Sequence, residues 1–172
     1  MNFHDIIQTI DDWVGGGLQG QHDDGDPTPD DKLLFYNTIN NIPIKYKHGG
    51  ILYRGISLPK STNLNNLKIS ELISSWSKSL QIAQEHALKN PYTTLHIIFK
   101  KSIHSNHILI NIEDFYKDLP SLTNIIPPNI KLRINHSTRE QEIICKNISL
   151  SINNIYLIHH HNQWLSLPQL NG

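Results

Sequence analysis

Cysteine is almost missing from this chain. Cys145 stands alone, so neither an intramolecular disulfide nor a cysteine metal cluster can form. One thiol in 172 residues suits a reducing compartment. An excess of charge is missing too: 15 Lys and Arg balance 15 Asp and Glu. That argues against a broad electrostatic grip on nucleic acid, which needs a basic face. No apolar run approaches membrane-helix length. The N-terminal MNFHDIIQTIDDW has no basic n-region and no small-residue cleavage site, so no signal peptide is expected. The expected location is the cytoplasm, with no membrane partner.

Arginine is scarce as well. Three arginines (Arg54, Arg133, Arg139) stand against twelve lysines, amid abundant Ile and Asn. Such a composition suits an AT-rich genome, as in many phages and some bacteria. Where drift disfavours arginine, a surviving one marks a place that lysine cannot fill, such as bidentate anion recognition.

What is there reads as one α+β domain. Phe3, Ile6, Ile7, Ile10 and Val14 recur at helical spacing. Residues 15–30 are rich in Gly, Asp and Pro and read as a mobile loop. Their aspartates lack the ligand alternation of a calcium loop. Asp30 and Asp31 suit a helix start before KLLFYNTINNI. ILYRGIS reads as a strand, LPKSTNLNNLKIS as a loop, and Ser74–Ser77 as a short strand. Ser79 caps a helix to about Lys89, before Asn90-Pro91. Strands follow at 93–103 and 107–112, then a short helix, EDFYKDL. An irregular stretch holds a candidate strand at 131–134, and QEIICKNISL and SINNIYLIH read as the last two strands.

Three of these segments carry polar residues where apolar ones belong. Arg54 lies between Tyr53 and Gly55 in a strand. A guanidinium there suits phosphate or carboxylate, or equally a structural ion pair. Gly55 admits the close approach of another backbone or a ligand. Ser75 and Ser77 share one strand face, with Trp76 on the core side. Glu140 and Glu142, if on a strand, share a face with carboxylates starting about 7 Å apart. At an effective dielectric of ~20 they repel by roughly 2 kcal/mol, which calls for a cation beside them. The bland alternative is a pair of solvated glutamates on an exposed edge.

The order arginine, Ser-x-Ser plus helix, Glu-x-Glu resembles the arginine–serine–glutamate class of mono-ADP-ribosyltransferases. The likeness is carried by LYRG, SSWSKSLQIAQEHA and STREQEII and spans residues 50 to about 158. Ala83 and Ala87 fall where that family keeps small helix residues. Trp76 replaces the usual central threonine, as in phage-type members.

The resemblance implies a split β-sandwich of two small, mainly antiparallel sheets with N-terminal helices. Residues 1–48 would form the helical part and 49–172 the NAD-binding core of a single catalytic domain. NAD+ would be the co-substrate, without a metal. Arg54 would hold its diphosphate, flanked by Tyr53 and Gly55. Ser75 would orient Glu142 and Ser77 would support that strand. Glu142 would bond the 2′-hydroxyl of the nicotinamide ribose and stabilise the oxocarbenium ion. Glu140 would hold or deprotonate the acceptor. Ser137, Thr138 and Arg139 would lie in the substrate-recognition loop. The implied partner is a host protein modified at arginine by a monomeric phage effector or bacterial toxin. Asparagine, a nucleic-acid base or water are alternative acceptors. A non-enzymatic binding module and an unrelated domain with a chance triad are further readings. Tyr92, Phe99 and Phe115 are candidates for stacking on nicotinamide. The eleven histidines, including His159–His161, read as structural or surface groups.

Overall fold

The computed structural model describes residues 3–14, 29–89, 95–118 and 141–170. Helix α1 spans Phe3–Val14. Its Ile6, Ile7, Ile10 and Trp13 are buried, at the spacing of one helix face. Helix α2 spans Pro29–Ile39, with Pro29 at its first position and Asp30 and Asp31 in its first turn. The expected loop of 15–30 therefore ends before Pro29; residues 15–28 lie outside the described residues. Phe35 of α2 packs on Trp13 of α1, ring centroids 4.5 Å apart.

Strand β1 is Gly50–Leu58, β2 Lys68–Ser77, and helix α3 Leu80–Leu88. Strand β2 begins ahead of the expected Ser74 because LKISELIS alternates across the pleat and pairs along its whole length with β5. The Ser79 hydroxyl caps α3, accepting from the Ile82 amide at 3.3 Å. Strand β3 is Leu95–Ile103 and β4 is Ile108–Asn111. Asn111 ends β4 by capping helix α4, Ile112–Lys117, through the Asp114 amide. Strand β5 is Glu142–Ser151 and β6 is Ile155–His160. A further strand, β7 (Gln163–Leu165), and a short helix at Leu167–Leu170 were not expected. The turn between β6 and β7 is His161-Asn162, with φ of 46° and 63°. Positive φ at both central residues is the twist-matched hairpin geometry, here without its usual glycine.

The described strands form one antiparallel sheet in the order β4-β5-β2-β1-β3-β6-β7. The expected pair of separate sheets is corrected accordingly, but the join is slight. Strands β1 and β2 share one registered pair, Tyr53↔Ser77. After Ser77 the chain turns into α3, which packs across β1. The two halves also bend towards each other. The Lys101 ammonium of β3 donates to the Ser149 carbonyl of β5 at 3.2 Å, with β1 and β2 between them in the sheet. Neighbouring strands lie about 4.8 Å apart, so a flat sheet could not allow that bond.

Three apolar clusters hold the layers. The first packs α1, α2 and α4 on Ile73, Leu109, Ile110 and Ile144. The second draws on both halves of the sheet, with Leu52, Ile97 and Phe99 beside Trp76, Ile143 and Cys145. The third seats Ala83 and Ala87 of α3 over Ile98. Among the described residues no helix is long and apolar enough to cross a membrane.

Cys145 is fully buried. Burial pushes its thiol well up, and the Arg54 charge opposes that only in part. The thiolate is the reactive form. Cys145 is therefore expected to resist a thiol-specific reagent in the native protein and to react stoichiometrically once denaturant unfolds it.

Candidate active site

The three polar segments meet where the sheet is nearly parted. Glu142 opens β5 and stands directly across from Ser77. Ser77 in turn stands across from Tyr53. Glu142, Ser77 and Tyr53 thus form a row across three strands, and Arg54 follows Tyr53. Two strand spacings separate the ends of that row, about 10 Å.

Ser75 lies opposite Ile144, one same-face step along the ladder from Glu142. Its hydroxyl donates to Glu142 Oε1 at 2.7 Å. The Trp13 indole of α1 donates to the same oxygen at 3.2 Å. Close by is Tyr116 of α4, whose hydroxyl is held well above its ordinary range. Burial does most of this, then the carboxylates of Asp11 and Glu142. The phenol therefore stays protonated at neutral pH.

Ser77 is buried and works on the backbone: its hydroxyl accepts from the Ser79 amide at 3.0 Å and shapes the turn into α3. Trp76 points the other way, into the second cluster, with its indole donating to Ser74 Oγ at 3.0 Å. Tyr53 packs on Tyr156, centroids 5.9 Å apart. The Lys100 ammonium lies 5.8 Å from the Tyr53 ring and 4.6 Å from the Tyr156 ring.

Arg54 has a partner that sequence reasoning missed. Its two terminal nitrogens fork onto Glu71, Nη2 to Oε1 at 2.9 Å and Nη1 to Oε2. The pair engages two of the five guanidinium donors and holds the group in plane. Glu71 lies between the expected loop, which ends at Ser70, and the expected strand start at Ser74, so it was given no element, whereas β2 runs through it from Lys68. Trp13 was missed because it falls on the apolar stripe of α1. The signal available was chemical: a buried indole N–H needs an acceptor.

Gly55, expected beside the cofactor, is corrected. A Cβ there would lie 1.8 Å from the Ala83 carbonyl oxygen, so its open side is filled by helix α3 rather than by a ligand. Phe99 and Phe115 are also corrected as stacking candidates, since both are buried core residues. The strand premise for Glu140 and Glu142 fails at its centre. Strand β5 begins at Glu142, and Gln141 between them has φ 49°, left-handed rather than extended. Glu140, Ser137, Thr138, Arg139 and Tyr92 lie outside the described residues. Among the described residues no group of His, Cys, Asp or Glu could hold a metal ion.

No family model, no curated protein and no solved structure matches the chain.

Proposed function

We propose that the protein is an NAD-dependent mono-ADP-ribosyltransferase that modifies arginine of a host protein and releases nicotinamide. One observation carries this reading: a serine from one strand fixes the carboxylate of Glu142 at 2.7 Å. That bond sits where the arginine segment joins the other two. Two of the motifs, far apart in sequence, meet at a carboxylate aimed by a neutral donor, which suits the stabilisation of a developing cation.

In this reading the C1′–N bond of the nicotinamide ribose breaks, and its electron pair leaves with nicotinamide. The ribose carbon becomes an oxocarbenium ion facing Glu142. A guanidine nitrogen of the acceptor forms the new C1′–N bond and gives up one proton, taken by Glu140. Arg54, already held in plane by Glu71, offers its remaining donors to the diphosphate. Preorganised charge of this type is typically worth about 3 kcal/mol, or 10²–10³ in rate.

Ser75→Ala is expected to lower kcat by about tenfold to a hundredfold, the usual worth of a hydrogen bond to a charged group. Initial rates at saturating NAD check this.

The reading is tested with labelled NAD and a host-cell lysate. A labelled protein band that neutral hydroxylamine releases is expected. Free ADP-ribose without a band would make water the acceptor and overturn protein modification. Unconsumed NAD would overturn the enzymatic reading altogether.

A further inference from the structure

The geometry points to Trp13 as a positioning residue for Glu142, so that helix α1 completes the site from the far end of the chain. This rests on the reading of Glu142 as the catalytic carboxylate. The terminal torsion of a glutamate is broad, and one donor leaves its plane free to swing. Glu142 Oε1 receives two donors from different elements: Ser75 Oγ of β2 at 2.7 Å and Trp13 Nε1 of α1 at 3.2 Å. Two neutral donors converging on one oxygen pin both the position and the plane of the group.

Trp13 is well built for that task. It is 9% exposed, and its ring is wedged 4.5 Å from Phe35. An indole has two side-chain torsions, both blocked by such packing, so the N–H is held in place before substrate arrives. Ile6, Ile7 and Ile10 anchor the helix in the first cluster. They hold α1 on the sheet, and Trp13 carries that placement 129 residues along the chain to Glu142.

The test separates positioning from packing, and both from the proposed reaction. The chain has three tryptophans, hence three indole N–H signals in a nitrogen–proton correlation spectrum. In Glu142→Gln the Trp13 signal is expected to move upfield, because a neutral amide is a weaker acceptor. The Trp76 signal, bonded to Ser74, is expected to stay. A Trp13 signal unmoved by that substitution overturns the proposal. This readout needs no activity, so it stands or falls separately from the transferase assignment. In turnover, Trp13→Phe keeps a ring against Phe35 and loses the N–H. It is expected to lower kcat about tenfold or more, with KM for NAD changed less than about twofold. Unchanged or increased kcat overturns the proposal, an increase meaning that α1 obstructs the site. A wild-type protein that leaves NAD intact defeats the transferase reading and leaves the spectroscopic outcome to decide the contact.

Discussion

Glu142→Gln is expected to lower NAD-dependent transfer by about 10²–10³ or more and to leave the fold intact. Glutamine has the shape of glutamate, and its carbonyl oxygen can still accept from Ser75 and Trp13, the two donors at Glu142 Oε1. What disappears is the negative charge that the proposed reaction places against a developing oxocarbenium ion. The first core beneath the site, with Ile73 and Ile144, is untouched. The melting temperature is therefore expected to stay within a few degrees, while label transfer falls to background. Glu142→Ala is a harsher comparison. It leaves both donors without their acceptor: the exposed Ser75 hydroxyl can turn to water, but the buried Trp13 N–H left unsatisfied costs about 1–3 kcal/mol.

The largest expected effect on stability comes from one methyl group. In Gly55→Ala the new Cβ would lie 1.8 Å from the Ala83 carbonyl oxygen, 2.8 Å from the Ala87 nitrogen and 2.9 Å from the Ala83 carbonyl carbon. All three are backbone atoms of α3, so no side chain can rotate away and the helix must lift. Overpacking typically costs 1–3 kcal/mol. The gain from a less flexible unfolded chain, about 0.4–1 kcal/mol, cannot offset a backbone clash of this depth. A net loss of about 2 kcal/mol is expected, read from the denaturant midpoint at unchanged slope. Lifting α3 also disturbs the Ser57 hydroxyl, which donates to the Ala87 carbonyl at 2.5 Å. It pulls as well on the turn that Ser77 shapes through the Ser79 amide. Transfer activity should fall with stability, because Ser75 lies on the strand entering that turn.

Most of the elements were legible because they obey simple periodicities. The apolar stripe of α1 and the capped start of α3 both stand where helical spacing and a serine cap put them. Ser75 and Glu142 were also legible as candidates, from residue type and order. Their hydrogen bond was not, since it depends on the β2–β5 register. Glu71 stayed hidden because the strand was expected only from Ser74, while pairing with β5 carries it back to Lys68 past the loop-like LPKSTNLNN. Strand β7 stayed hidden because its turn is His-Asn rather than a glycine turn. Gly55 shows the reverse case. Its need for a close approach was readable, but which neighbour approaches is a tertiary fact, and that neighbour is a helix. The Glu140–Glu142 pair was read with strand period, and the left-handed Gln141 breaks that period at its midpoint.

The most direct test follows nicotinamide release from NAD by purified protein supplied with a small guanidino acceptor, with Glu142→Gln alongside. Wild-type protein is predicted to release nicotinamide in step with ADP-ribosylation of the acceptor, and the variant to do neither. Intact NAD with the wild-type protein, or equal release by the variant, would contradict the assignment of Glu142 to this chemistry.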